Sequence, residues 1–258
     1  MKNLIKTKDK INKIRLSSKL ASEVLIMIEK YIKPNITTNL LNNICHKFIT
    51  KIQKATPAPL NYNGYPKSIC TSINNVICHG IPNNTILKNG DIINIDITIK
   101  KNNYYGDTSK TFIVGKTTNQ IKNLVINSQK CLYYIIHKIK PNLTIGDIGY
   151  FIQNYAQKKS LSIVKEYCGH GIGINFHENP KILHYGKKKH GIKLKKGMVF
   201  TIEPMLNLGK CTNEILNDNW TVVTKDKFFS SQWEHTILIT HNKCEILTLR
   251  NDENINMF

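Results

Sequence analysis

Ile11, Ile14, Leu20, Val24, Ile28 and Ile32 recur at close to helical spacing, and Pro34 follows. That spacing predicts an amphipathic helix over residues 9–32. Thr37 or Thr38 can cap a second helix carrying Leu40, Leu41, Ile44, Cys45, Phe48 and Ile52, before Pro57 and Pro59 break the pattern. Residues 60–86 are turn-rich, with Gly64-Tyr65-Pro66 and His79-Gly80-Ile81-Pro82. The period then changes from helical to alternating. Residues 91–99 read as a strand, Asn102-Asn103 marks a turn, and a second strand runs through Asp107 to Val114. The same order then returns. Helices are predicted over 118–139 and, introduced by Thr144, over 145–160. A turn-rich stretch over 168–191 follows, then strands over 198–203, 205–208, 220–224 and 234–240.

Two segments of these halves run in register. Leu87-Lys88-Asn89-Gly90 leads to Ile95-Asp96, and Leu194-Lys195-Lys196-Gly197 leads to Ile202-Glu203. A His-Gly-Ile precedes each, at His79 and His170, and a second carboxylate follows each, Asp107 and Glu234. Each half is thus helix, helix, histidine-bearing loop and carboxylate-bearing strands. Two αβ halves packing their sheets together give an α+β layer with helices outside.

The 258 residues suffice for one large domain or two closely packed halves. A hydrophobic share of 41% excludes a disordered chain. No apolar run approaches the roughly 20 residues of a membrane-spanning helix. The Lys-rich start through Lys13 lacks the apolar stretch of a secretory signal. Seven cysteines, an odd number without a Cys-x-x-Cys pair, point to reduced thiols and a cytoplasmic protein. The net charge of +20 invites a nucleic-acid reading. Yet the lysines are dispersed, Lys187-Lys188-Lys189 is the only run of three, and Arg15 and Arg250 are the only arginines. Base readout and bidentate phosphate contacts favour Arg. Lys, Asn and Ile are over-used throughout, as coding drift towards A and T produces. The expectation is no membrane and no specific nucleic acid, with a loose attraction to a polyanion such as the ribosome surface compatible with the charge.

Asp96, Asp107, His170, Glu203 and Glu234 can supply five oxygen and imidazole ligands. Paired divalent metals are usually bridged by carboxylates, and one imidazole with four carboxylates suits Mn, Fe, Co or Zn without any thiol. Each residue has a plainer alternative. Asp96 and Glu203 lie in apolar strands, where a carboxylate is expensive to bury without a cation; alone, either fits an edge position, and their matched register favours ligands. Asp107 after Gly106 also suits a turn, and Glu234 a solvated strand. His170 and His177 lie in a stretch holding Gly169, Gly171 and Gly173. That reads as a loop whose backbone is held close to something.

These residues belong to longer motifs. They are Tyr62-Asn63-Gly64-Tyr65-Pro66-Lys67-Ser68-Ile69-Cys70, Asn74-Asn75-Val76-Ile77-Cys78-His79-Gly80-Ile81-Pro82, Gly106-Asp107-Thr108-Ser109-Lys110 and Glu166-Tyr167-Cys168-Gly169-His170-Gly171-Ile172-Gly173. Phe176-His177-Glu178, Phe200-Thr201-Ile202-Glu203-Pro204-Met205 and Gln232-Trp233-Glu234-His235-Thr236 complete the order. In these the chain resembles the type I methionine aminopeptidases, of the bacterial or organellar kind, over about residues 4–250. The resemblance implies the pita-bread fold with internal pseudo-two-fold symmetry: one catalytic domain over 1–258, with halves at about 1–115 and 116–250.

The resemblance also implies a function and a site. The function is metal-dependent removal of the initiator methionine from nascent polypeptide N-termini, preferring a small second residue, by a cytoplasmic monomer. Two divalent cations (Co, Zn, Mn or Fe) are implied. Asp96 and Asp107 would hold one, Asp107 and Glu234 bridge to the second, and His170 and Glu203 complete it. Glu203 would also shuttle a proton, while His79 and His177 position the substrate and stabilise the oxyanion. Tyr62, Tyr65, Cys70, Phe176 and Trp220 would line a methionine pocket, ordinary core being the alternative for each. A monovalent cation is implied near Asn74, Val76 and Ser230. Pro59 and Asn219 depart from the family pattern, where a small residue or cysteine and a glycine are usual. A proline-specific relative on the same fold is the alternative enzyme; the short stretch before His79 leaves little room for its extra domain. A catalytically dead, polyanion-binding relative is the alternative of another class, and an intact ligand set weighs against it.

Overall fold

The computed structural model describes residues 4–253. Helix α1 spans Lys8–Glu29, and the Thr7 side chain caps it by accepting from the Lys10 N–H. Helix α2 spans Thr38–Lys47. Thr37, not Thr38, is its cap, with Oγ1 accepting from the Leu40 N–H at 3.1 Å. The predicted second helix continues only as a π turn over Phe48–Ile52. Helix α3 spans Asn119–Lys138 and α4 spans Ile145–Lys158. Thr144 and Asp147 form a reciprocal capping box at the start of α4, which satisfies two otherwise orphaned donors.

The strands that carry the site obey a strict two-residue period. In Ile92–Lys101, the side chains of Ile93, Ile95, Ile97 and Ile99 are fully buried against Ala21, Val24, Leu25 and Ile28 of α1 and Leu41 and Cys45 of α2. Asn94, Asp96 and Thr98 therefore face the other way. In the second half, Phe200, Ile202, Ile237 and Ile239 pack against Leu124, Leu132 and Ile135 of α3 and Ile148 and Ile152 of α4. Each sheet thus turns an apolar face to its helices and a polar face to the other half, and the helices lie outside as expected.

Every strand pair among the described residues is antiparallel. Ile92–Lys101 lies between Thr56–Pro57 and Cys70–Ile73 in one sheet and also pairs with Tyr104–Ile113. Val199–Ile202 lies between His235–Ile239 and Gly169–Gly171 in a five-stranded sheet. Polar cross-ties join the halves. The Asn94 amide donates to Gln232 O at 2.9 Å and the Thr111 hydroxyl donates to the same oxygen at 2.7 Å. The Asp107 N–H donates to Thr236 Oγ1 at 3.2 Å, and the Thr236 hydroxyl donates back to Asp107 O at 2.7 Å.

Three expectations need correction. The stretch 60–86, read as turn-rich, contains strands Cys70–Ile73 and Val76–Cys78. The stretch 168–191 contains strands Gly169–Gly171 and Glu178–Ile182, so His170 sits on a strand rather than in a loop. A Cβ on Gly169 would lie 2.3 Å from Thr201 O, and one on Gly171 would lie 2.1 Å from Asn179 O. The glycines do mark a close approach, and what approaches is neighbouring backbone. Finally, the strand expected over 220–224 shrinks to Val222–Thr224, because the Asp218 carboxylate draws the Trp220 and Thr221 N–H groups into a turn. Asn219 in that turn has φ 62°, the left-handed region that glycine adopts freely and asparagine tolerates. No helix among the described residues is long and apolar enough to cross a membrane.

Candidate metal centre and substrate cavity

The polar faces of the two sheets enclose a cavity of about 880 Å³. The twelve residues expected to bind divalent metal or substrate all line it: Tyr62, Tyr65, Cys70, His79, Asp96, Asp107, His170, Phe176, His177, Glu203, Trp220 and Glu234. Ligand atoms of Asp107, His170 and Glu234 lie within 4.8 Å of one another. Asp96 and Glu203 stand beside this trio rather than inside it. Glu203 Oε1 is 3.8 Å and Asp107 Oδ2 3.6 Å from His170 Nε2.

Strand register explains the convergence. Ile202 pairs with His235, so Glu203 and Glu234 extend that ladder as directly opposed neighbours. In the first half Asp96 pairs with Ser109 and Thr98 with Asp107, so the two aspartates are diagonal neighbours on one face. Threonine hydroxyls fix one carboxylate in each half. Thr98 donates to Asp107 Oδ1 at 2.8 Å, and Thr201 donates to Glu203 Oε1 at 2.7 Å. Each of these threonines sits two residues from a ligand candidate on the same strand face. That spacing is visible in the sequence. Gln232 Nε2 also reaches Glu203 Oε2, at 3.4 Å.

The electrostatics of the centre are those of a cation site. Burial pushes the Asp96 carboxyl well above the usual carboxylate range, and Asp107 and Glu203 reinforce the shift. Burial, Asp107 and Glu203 do the same to Glu234. Burial pushes Glu203 up to about 7 against the opposing pull of His170. Such a cluster holds protons until a cation replaces them. Burial disfavours the imidazolium of His170, but Asp107 and Glu203 outweigh it and raise the pKa. Nδ1 of His170 lies 3.0 Å from Gly171 O. Donation from Nδ1 leaves the Nε2 lone pair facing the carboxylates, the arrangement of a metal-ligating imidazole. Asp107, His170, Glu234, Glu203 and Asp96 therefore fit divalent cations. Cys70 stays a thiol, because burial and Asp96 push it well above its ordinary value.

Aromatic groups wall the rest of the cavity. Tyr62 meets Phe176 at 4.8 Å, and Phe176 stacks on His177 at 4.3 Å. Tyr65 meets Trp220 edge-on at 5.1 Å; its hydroxyl donates to Ile69 O and Gly80 O. This anchors the turn that carries His79. His79 itself has φ 56°, a conformation few non-glycine residues adopt, and lies edge-on to Trp220 at 6.2 Å. Burial lowers the pKa of His79, and burial with the nearby His170 lowers His177 to about 4, so both rings are neutral near pH 7. Pro59 also lines the cavity.

Asn74 and Ser230 are brought together, the Ser230 N–H donating to Asn74 O at 2.8 Å. Val76 lies on the adjoining strand, opposite Val223. Two contributors escaped sequence reasoning. His184 is fully buried, and its Nε2 accepts from the Glu203 N–H at 3.4 Å. Arg250 is also buried, behind the site.

The chain is similar to known proteins along nearly its whole length. A methionine aminopeptidase of Buchnera aphidicola from Baizongia pistaciae is 56% identical over 97% of this chain and 95% of its own. The methionine aminopeptidase of Escherichia coli K12 is 50% identical over 97% of this chain and 96% of its own. The crystal structure of methionine aminopeptidase from Rickettsia prowazekii superimposes with a TM-score of 0.93 at 50% identity, covering 95% of this chain and 99% of that one. Residues 12–241 match the model of metallopeptidase family M24, and the chain belongs to that family, among its methionine aminopeptidases.

Proposed function

We propose that the protein hydrolyses the first peptide bond of nascent polypeptides that begin with methionine, using two divalent cations of the Mn, Fe, Co and Zn group. The observation that carries the reading is the convergence of Asp107, His170 and Glu234 at the foot of an aromatic-walled cavity. Asp96 and Asp107 would hold one cation, His170 and Glu203 the other, with Asp107 and Glu234 shared. When bound, the cations supply Lewis-acid polarisation of the scissile carbonyl and a lowered pKa for water.

The chain's own groups do the rest. Glu203 takes a proton from the attacking water and returns it to the leaving amine, a role suited to a buried carboxylate on the cavity wall beside His170. His79 and His177, neutral near pH 7, donate hydrogen bonds to the substrate carbonyl as negative charge develops on it. Tyr62, Phe176 and Trp220 offer ring edges to the methionine thioether, a favourable sulfur–aromatic contact, and Tyr65 and Cys70 close the pocket behind them. We read the preferred second residue as small, as the family resemblance implies.

We read the chain as one catalytic domain, since each half contributes candidate ligands to the same centre, and, from the family resemblance, as a cytoplasmic monomer. A monovalent cation beside Asn74, Val76 and Ser230 would brace that centre. The exposed Lys187–Lys189 run gives a weak, salt-sensitive attraction to ribosomal RNA. Metal-loaded protein incubated with a Met-Ala-Ser peptide should release free methionine, and Asp96→Asn should abolish release. Absence of release with each of Mn, Co, Fe and Zn would overturn the proposal.

A further inference from the structure

The helix-facing side of the metal-bearing strands holds a buried charged cluster that the reaction does not consume. Glu234 faces the cavity, while its neighbour His235 turns away and stacks at 6.0 Å on Tyr133 of α3. Behind them lies Arg250, with 1% of its surface exposed and its guanidinium 5.7 Å from the Trp233 ring. One guanidinium nitrogen donates to Thr108 Oγ1 at 2.9 Å. The Thr108 hydroxyl in turn donates to the backbone oxygen of Glu234 at 2.7 Å. Glu253 accepts from the guanidinium and from the Tyr133 hydroxyl, and lies 3.4 Å from His235 Nε2.

A single side chain therefore touches the residue after Asp107 and the residue before Glu234. It reaches the main chain of Glu234 through one hydroxyl. A buried charge is costly, and only good geometry on several partners offsets that cost. The contacts here are a fork to Thr108 and Glu253 plus a cation–π contact with Trp233. A guanidinium makes all of them at once, and an ammonium cannot. Arg250 is one of two arginines among 37 Lys and Arg residues in the chain.

We infer that Arg250 is a positioning residue for the metal centre: held by Glu253 and acting through Thr108, it sets the separation of Asp107 and Glu234. This rests on the reading of those two carboxylates as the shared ligands. Groups that orient metal ligands from behind typically change metal affinity by about 10–100-fold when altered.

The test is titration of Mn2+ into metal-free full-length protein by calorimetry, with steady-state kinetics on Met-Ala-Ser. Arg250→Lys and Arg250→Met should weaken Mn2+ binding by about 10–100-fold and lower kcat, while KM moves less than about threefold. Thr108→Val, which keeps the shape and removes the hydroxyl, should act in the same direction, and Thr108→Ser should restore binding. Leu247→Ala, a core truncation near the same segment, should lower Tm and leave Mn2+ affinity unchanged. Wild-type affinity in the folded Arg250 variants and in Thr108→Val would overturn the inference, as would an equal loss in Leu247→Ala. Should the Arg250 variants not fold, the Thr108→Val and Thr108→Ser pair decides. Wild-type protein that binds no Mn2+ would instead overturn the metal reading itself.

Discussion

The Tyr62 hydroxyl lies 2.8 Å from His177 Nδ1, joining residues 115 positions apart across the mouth of the cavity. If the hydroxyl donates, the imidazole proton sits on Nε2, the nitrogen left to meet a substrate carbonyl. Tyr62→Phe keeps the ring packing and frees the tautomer. It should lower kcat by roughly tenfold, the scale of one hydrogen bond, with little change in KM. A kcat equal to wild type would show that Tyr62 does not orient the ring.

His177 titrates at about 4, so its charge does not change between pH 5 and 8. His177→Ala should cost about 10²–10³ in kcat, as losing an oxyanion donor does, without moving the acid limb of the pH–rate profile. A displaced acid limb in the variant would assign that limb to His177.

Glu203→Gln retains an acceptor for Thr201 and removes the proton carrier. The expected loss in kcat is about 10²–10⁴. The variant should still bind a methionine-terminated peptide, measured by calorimetry. Near-normal turnover would return the proton transfer to another group.

Metal-free protein should lose stability as pH rises. The folded Glu203 carboxyl titrates near 7 against an ordinary 4.5, so between these values the folded state holds a proton the unfolded state has released. Stability present below about pH 4.5 is therefore lost as pH climbs through about 7, and the upward shifts of Asp96 and Glu234 add to it. Melting of chelator-treated protein from pH 6.5 to 8.5, above the range in which the depressed pKa values of His177 and His184 make stability rise with pH, should show a falling Tm, and added Mn2+ should flatten the curve. A Tm that rises over that range would contradict the clustered-carboxylate picture.

Lys6 pairs with Glu178, whose carboxylate also accepts from the N–H groups of Ile174 and Asn175 at 2.8 and 3.0 Å. This ties the N-terminal segment to the loop that carries Phe176 and His177. Lys6→Ala should speed hydrogen exchange at amides 174–178 and raise KM more than it lowers kcat. Unchanged exchange would show the loop to be held by its own packing.

Helices and long strands were legible because their periods persist for ten residues or more. Ile93, Ile95, Ile97 and Ile99 alternate too cleanly to read otherwise. The matched positions of Asp96 and Glu203 point to paired carboxylates, and both line the same cavity. What stayed hidden was short or non-local. Strands such as Ser230–Gln232 and Gly169–Gly171 span three residues and exist through pairing with distant backbone, which no local pattern records. Arg250 looked like one more basic residue in a lysine-rich chain. Only the fold places it behind Glu234.

The cross-ties between the two carboxylate-bearing strands bear on how the protein is made. Asp107 to Thr236, Thr108 to Glu234 and Arg250 to Thr108 span 129, 126 and 142 residues of sequence. Contacts so distant form late, because loop closure must come first. A chain that ends before Glu234 has four of the five candidate ligands, Asp96, Asp107, His170 and Glu203, and none of these braces. On the proposed ligand set, full metal affinity should therefore arrive with the last strands and not with either half, and a separated first half should neither bind Mn2+ nor cleave peptide.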